Sequence, residues 1–224
     1  RSALYHIVVQ VSAEMWRVNS AGTPYIEKAS DFVQTLAEMW DVFNCKHNAT
    51  VVLFSRVQYP GLDEAAFDLA DRATLTRDTN GMLCRDFYRV VVNNLSTVHV
   101  RLLTTRFRAR LAEFEELVLG LEHRARYPSA RIAKAADGNL LEAMNLSLDA
   151  LGRHYIDRSF TRTGLTLLVL TPATGVFQVD QGMVGLTEQR IIDDGVGCDM
   201  VCLAEPGLHV TPLFRFRPKP GKAT

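Results

Sequence analysis

Gly164–Asp180 reads GLTLLVLTPATGVFQVD, and Gly185–Pro206 reads GLTEQRIIDDGVGCDMVCLAEP. Each stretch holds an apolar run, and a helix-like pattern lies between the two runs. Asp180 is placed to cap that helix, and Asp194-Gly195 to end it. This is the signature of a βαβ unit. Unbroken apolar runs suit strands covered on both faces, as in a parallel sheet. Val210–Phe216 then supplies a final edge strand, and Pro218–Thr224 is a Pro-, Gly- and Lys-containing tail.

The rest of the chain adds strands and helices around this pair. Leu4–Val11 and Ala49–Val57 are rich in β-branched residues and read as the first two strands. Leu83–Asn93 reads as a third, more polar strand that suits a sheet edge. Between the first two strands, Ile26, Ala29, Phe32, Val33, Leu36, Met39, Trp40 and Phe43 keep helical spacing. Thr23 is expected to cap that helix, with Pro24 at its first position. Leu103, Phe107, Leu111, Phe114, Val118 and Leu121 form the stripe of a second long helix over Leu102–Leu121. Pro60–Asp78 is polar and irregular, with one helical turn expected around Glu64–Leu69, and Tyr127–Asp137 reads as a linker. Asn139 and Glu142 have capping-box spacing and open a third helix carrying Leu140, Met144, Leu148, Leu151 and Tyr155. The alternation predicts an α/β domain: an open, mostly parallel, doubly wound sheet of about six strands with helices on both faces. Residues 1–217 form a single domain in this reading and 218–224 a flexible tail.

Bulk composition narrows the function classes. Lys+Arg and Asp+Glu both number 25 in 224 residues, so the net charge is zero. A nucleic-acid-binding domain normally carries a basic excess. No apolar run is long enough to cross a membrane, and no signal peptide is visible. The chain starts with Arg1 rather than Met, so it is expected to be a piece of a longer protein. Cys45, Cys84, Cys198 and Cys202 make no Cys-x-x-Cys pair. On a strand Cys198 and Cys202 stand about 13 Å apart, too far for a bridge. Buried reduced thiols in a reducing compartment are expected.

In a doubly wound sheet ligands bind at the carboxyl ends of the strands. After the first strand come Gln10, Ser12 and Glu14. No Gly-x-Gly-x-x-Gly follows it, and the chain has no Gly-Lys-Ser/Thr phosphate loop and no Gly-x-Ser-x-Gly elbow. A sheet of this order resembles the von Willebrand factor A fold, whose metal site uses Asp-x-Ser-x-Ser after the first strand. In this sequence Gln10 stands at the leading Asp position, Ser12 matches, and Glu14 replaces the second Ser. The fold's later Asp falls near Thr171 or Pro172. A hard cation needs anionic or carbonyl oxygens, so no metal and no other cofactor is expected. The six histidines show no ligand spacing. Arg106, Arg108 and Arg110 are followed by Glu113, Glu115 and Glu116, which reads as a self-neutralising solvated face.

One family resemblance covers nearly the whole chain. DGNLLEAMNLSLDALGRHYIDRSFTRTG from Asp137, then TPATGVFQVD and LTEQRIIDDGVGCDMVCLAEPGLHVTPLFRF, with SAEMW, VVLFSRV and DFYRVVV upstream, are similar to the large DEP-domain subunit of the SEACIT/GATOR complex. The matching region is the one called SABA, the structural axis for binding arrangement. The resemblance implies a part of a GTPase-activating complex for Rag GTPases, on the cytosolic face of the lysosomal or vacuolar membrane, that restrains TORC signalling when amino acids are scarce. It implies a scaffold that docks the nitrogen permease regulator-like subunit, which carries the arginine finger, so no catalytic residue is expected in this chain. Rag contact is then indirect, and the membrane is met only peripherally through the complex.

Within the residues themselves, the long charged loop Ile156–Thr163 is the candidate partner surface, with Tyr155, Asp157, Arg158, Arg162 and Thr163 as its candidate residues. Arg is favoured at interface hot spots because its planar fork bonds bidentately. The alternatives are an A-domain-like, metal-dependent binding module, against which Gln10 speaks, and a small-molecule enzyme, against which the missing phosphate loop speaks.

Overall fold

The computed structural model describes residues 3–78, 80–96, 100–153, 164–173, 176–204 and 213–216. In chain order these form β1 (Ala3–Gln10), α1 (Tyr25–Val42), β2 (Asn48–Gln58), α2 (Leu69–Arg72), β3 (Leu75–Arg77), β4 (Leu83–Ser96), α3 (Val100–Leu119), α4 (Leu121–Arg126), β5 (Arg131–Ile132), α5 (Leu140–Arg153), β6 (Gly164–Thr171), β7 (Phe177–Val179), α6 (Gln181–Asp193), β8 (Val196–Cys202) and β9 (Phe214–Phe216). Short 3-10 turns cover Ala13–Trp16, Glu64–Ala66 and Ala135–Asp137.

The main sheet runs β3-β4-β2-β1-β6-β8, with β5 paired to the end of β2. β2, β1, β6 and β8 are mutually parallel, while β4 runs antiparallel to β2 and β3 antiparallel to β4. The fold is therefore the expected mixed α/β sheet, mostly parallel at its centre. From β1 the chain moves out to β2 and β4, then returns to place β6 on the other side of β1. That reversal makes the gap between the ends of β1 and β6 the topological switch point.

Alternation along the central strands divides the core in two. Ile7, Val9, Val51, Leu53, Val57, Leu168 and Leu170 pack with α1 and α3. Leu4, Val8, Val52, Phe54, Leu167 and Val169 pack with α5. A period of two sends successive residues to opposite faces, and helices on both faces explain why β2 is buried along its whole length.

Several boundaries differ from the sequence reading, each for a local reason. Thr23 does not cap α1: Pro24 holds the N-cap position, and the Asn19 side chain accepts from the amides of Ala21 and Thr23. Only Ala29, Val33, Ala37 and Trp40 of α1 are buried, so the stripe is narrower than the periodicity suggests and leaves Met39 and Phe43 exposed. The second long helix stops at Leu119. Gly120 breaks it where an added Cβ would lie 2.5 Å from the Glu116 carbonyl, and Leu121 swings out into solvent in α4. Of the expected self-neutralising arginines on α3, Arg110 pairs with Glu113, whereas Arg108 turns to Asp31 and Gln34 of α1, and Glu115 is taken by Arg124 of α4.

At the end of the chain, β8 is an edge strand whose Gly197, Cys198 and Asp199 are exposed, so only β6 of the βαβ pair is covered on both sides. Residues 210–212 of the expected final strand lie outside the described residues. Phe214–Phe216 does not join the main sheet: it pairs in parallel with Phe177–Val179 in a separate two-stranded sheet. Of the four cysteines only Cys84 is buried; Cys45 and Cys202 are intermediate and Cys198 is exposed. No described helix is long and apolar enough to cross a membrane.

Candidate functional site: the carboxyl end of the sheet

The switch point brings together the residues that the sequence pattern singles out. Gln10 ends β1 and Thr171 ends β6, and both are buried. The Thr171 hydroxyl donates to Gln10 Oε1 at 2.6 Å, and Gln10 Nε2 donates to the Ala135 carbonyl at 3.0 Å. The Ala173 amide donates to Thr171 Oγ1 at 3.2 Å. Beside them the Ser12 hydroxyl and the Ala135 amide both donate to Glu14 Oε2, at 2.8 and 2.9 Å.

The loop that fills this corner comes from the segment before α5. The Ala13 amide donates to the Ala133 carbonyl, and the turn Ala135–Asp137 lies over Gln10. Gly138 makes that close approach feasible, because a Cβ there would sit 2.5 Å from Gln10 Nε2. The polar groups of the strand ends therefore pair with one another.

This donor set does not suit a hard cation. Such ions need several anionic or carbonyl oxygens turned to one point. Gln10 is a neutral amide with both ends engaged, and the nearby Glu14 carboxylate is tied to Ser12 and Ala135. Among the described residues no group of three His, Cys, Asp or Glu side chains is placed to hold a metal.

A second polar centre lies on the same face of the sheet, and the sequence reading missed it. Arg56 of β2 forks onto Asp86 of β4, with Nε–Oδ1 at 2.6 Å and Nη2–Oδ2 at 2.8 Å, and Nη2 also reaches Glu142 of α5 at 2.9 Å. The Arg56 side chain is only 9% exposed. Burial by itself disfavours its cation, but the hydrogen bonds it donates to Asp86 and the charges of Asp86 and Glu142 outweigh that and raise its pKa. Glu142 is thus not half of a capping box. Asn139 likewise sends its side-chain amide to the Ser55 carbonyl of β2. A lone Arg inside the apolar run ATVVLFSRV was the available signal, since a buried cation requires a partner.

A third cluster joins β2 to the segments after it. Tyr59, Phe67 and Tyr127 pack ring to ring, and the Tyr59 hydroxyl meets His123 Nε2 at 3.2 Å. Burial pushes the Tyr59 hydroxyl up to about 12. Burial, then the Arg85 and Arg126 cations, push the His123 imidazole down against the opposing pull of Asp71. A cleft of about 600 Å³ beside it is lined by Asp71, Arg85, His123, Arg126 and Tyr127 among others. Its mixed charges select no single class of ligand.

Of the candidate partner surface, Tyr155, Asp157, Arg158, Arg162 and Thr163 all lie outside the described residues. Their flanks are placed: α5 ends at Arg153 and β6 begins at Gly164. The loop therefore feeds β6 at its amino end, whereas the Gln10 corner lies at the carboxyl end. Asp180 caps α6 as its position suggests, accepting from the Met183 amide at 3.0 Å.

A protein-family model described as the vWA-like domain of vacuolar membrane-associated protein Iml1 matches residues 2–216. The chain belongs to this family. Among Iml1-family relatives, the Drosophila melanogaster protein named GATOR complex protein Iml1 is 38% identical over 97% of this chain and 14% of its own length. A DEP domain-containing protein of Dictyostelium discoideum is 36% identical over 96% of the chain and 10% of its own length. The vacuolar membrane-associated protein iml1 of Aspergillus terreus is 33% identical over 98% of the chain and 13% of its own length. The chain thus spans about a tenth to a seventh of the length of these three relatives.

Proposed function

We propose that this domain is a non-catalytic scaffold within a GTPase-activating complex for Rag GTPases, where it docks the nitrogen permease regulator-like subunit. In that role it restrains TORC signalling on amino-acid starvation, at the cytosolic face of the vacuolar or lysosomal membrane. Membership of the Iml1 family carries the reading. The closed corner at the switch point supports it, because the place where a doubly wound fold offers chemistry is filled by Gln10, Thr171 and Ala135. The charged loop bearing Asp157, Arg158 and Arg162 helps hold the partner, with Tyr155 and Thr163 at its ends.

Two measurements test this. The domain alone should leave Rag GTP hydrolysis within about tenfold of its intrinsic rate, since a supplied arginine finger is worth roughly 10³–10⁵. Replacing Arg158 and Arg162 by Glu should weaken retention of the regulator-like subunit roughly 30-fold, about 2 kcal/mol, without lowering the melting temperature. Strong stimulation by the domain alone overturns the non-catalytic role. A lowered melting temperature with undiminished binding assigns the two arginines to the fold instead.

A further inference from the structure

On the β4 side of the sheet, the edge left open among the described residues is one short window. β3 covers β4 only across Leu83–Arg85, opposite Arg77, Thr76 and Leu75. Beyond Val90 the pairing of β4 with β2 is irregular twice, between Val52 and Val51 and again between Val51 and Ala49, and Asn94 takes a positive φ of 46°. Such bulges twist an edge away from further pairing. Between these ends, Asp86–Val90 keeps regular register with β2, from Arg56↔Asp86 to Val52↔Val90. Among the described residues no strand pairs with its outer side. Every second residue of an antiparallel edge turns both its N–H and its C=O outward.

The side chains of this window are those of a recognition edge rather than a protected one. Tyr88 is 38% and Val90 58% exposed. They stand opposite Phe54 and Val52, on the face that α5 covers further in. On the other face Arg89 is half-buried, and its guanidinium makes no hydrogen bond or ion pair with any described residue. By contrast, the opposite edge, β8, carries the charge of Asp199 and the bare backbone of Gly197. In the β4 window the charge of Asp86 is already neutralised by Arg56, and exposed Tyr and Val favour pairing.

We propose that β4 from Asp86 to Val90 is a strand-addition site for an extended segment of a partner subunit, a placement that rests on the scaffold reading above. The backbone of that segment pairs with the open edge. Its apolar side chains fall on Tyr88 and Val90, and an acidic side chain on its other face meets Arg89. Strand addition draws affinity from main-chain hydrogen bonds and specificity from alternate side chains, and this window supplies both. The acidic residue is required because a half-buried cation without a carboxylate gains most from a charge-assisted bond.

The test compares the full-length protein alone with the same protein in its assembled complex, by amide hydrogen exchange. The outward amides of Asp86–Val90 should exchange at least tenfold more slowly in the complex. Arg89→Glu, and independently Val90→Lys, should lower partner retention at least tenfold at unchanged melting temperature, while Arg89→Lys retains it. Protection elsewhere in the domain with none at β4, or retention unaffected by both variants, overturns strand addition and leaves the scaffold reading standing. No protection anywhere in the domain sinks the scaffold reading itself. Protection already present in the protein alone and rising with its concentration makes a second copy the occupant, which also overturns the proposal.

Discussion

Gln10→Ala probes whether the corner between β1 and β6 acts as a lock on the fold. The substitution removes two hydrogen bonds, from Gln10 Nε2 to the Ala135 carbonyl and from the Thr171 hydroxyl to Gln10 Oε1. Each is worth about 1 kcal/mol net, and leaving the buried Thr171 hydroxyl without an acceptor adds about 1–3 kcal/mol. The Ala135 carbonyl keeps the Gly138 amide, so its loss is partial. The total is about 2–4 kcal/mol, which for a domain of this size lowers the melting temperature by about 5–15 °C. Differential scanning calorimetry measures it directly. The same logic predicts coupling. Gly138→Ala should be strongly destabilising beside Gln10, because its Cβ meets Nε2, and much milder in the Gln10→Ala background. Gln10→Glu adds a pH signature. Burial raises the pKa of the new carboxyl in the folded state, so stability must fall as pH rises above the unfolded value of about 4.3. A melting point for Gln10→Ala within about 2 °C of the parent, or additive effects with Gly138→Ala, would refute the lock.

Arg56→Met should cost about 2–3 kcal/mol in chemical denaturation, less than a fully buried pair because Asp86 and Glu142 are partly exposed; adding Asp86→Leu should recover most of it. His123, pushed down by burial and the Arg85 cation, should titrate below the usual 6.5 by NMR. Because its folded pKa is depressed, its contribution is full above pH 6.5 and is lost as pH falls through the folded value, so melting temperature should decline on that side. Millimolar magnesium or manganese should leave the melting temperature unmoved, since a ligand that binds only the native state would raise it by mass action.

The fold was legible where one residue's neighbours in sequence determine its surroundings. The runs at Leu4–Val11, Ala49–Val57 and Leu165–Leu170 could only be strands covered on both sides, and their order around intervening helices set the parallel centre of the sheet. What escaped depends on contacts distant in sequence. Glu142 looked like a capping partner three residues from Asn139, but Arg56, 86 residues away, claims it. Phe214–Phe216 looked like one more strand of the main sheet, but its hydrogen-bonding partner is the short Phe177–Val179, which no periodicity marks. Leu121 kept the helical stripe of α3, yet Gly120 ends the helix one residue earlier. The Gln10 corner was half legible: residue types placed Gln10, Ser12, Glu14 and Thr171 near one another. That Ala135 and Gly138 close it could not be seen from strand-end residues alone.

The closure of that corner also bears on what kind of work the domain does. A site built for ligands keeps polar groups aimed at a vacant position, and those groups carry an energetic demand until the ligand arrives. Here that demand is met within the chain: Thr171 binds Gln10, Gln10 binds Ala135, and Glu14 holds both Ser12 and Ala135. The same loop therefore converts the natural ligand position of the fold into a brace between β1, β6 and α5. The outer strand differs: no described strand pairs with the outer side of Asp86–Val90, so its outward N–H and C=O groups face solvent, and Arg89 has no carboxylate among the described residues. A braced interior and an open edge are what a rigid docking platform requires, because a preorganised surface loses little freedom when its partner is seated.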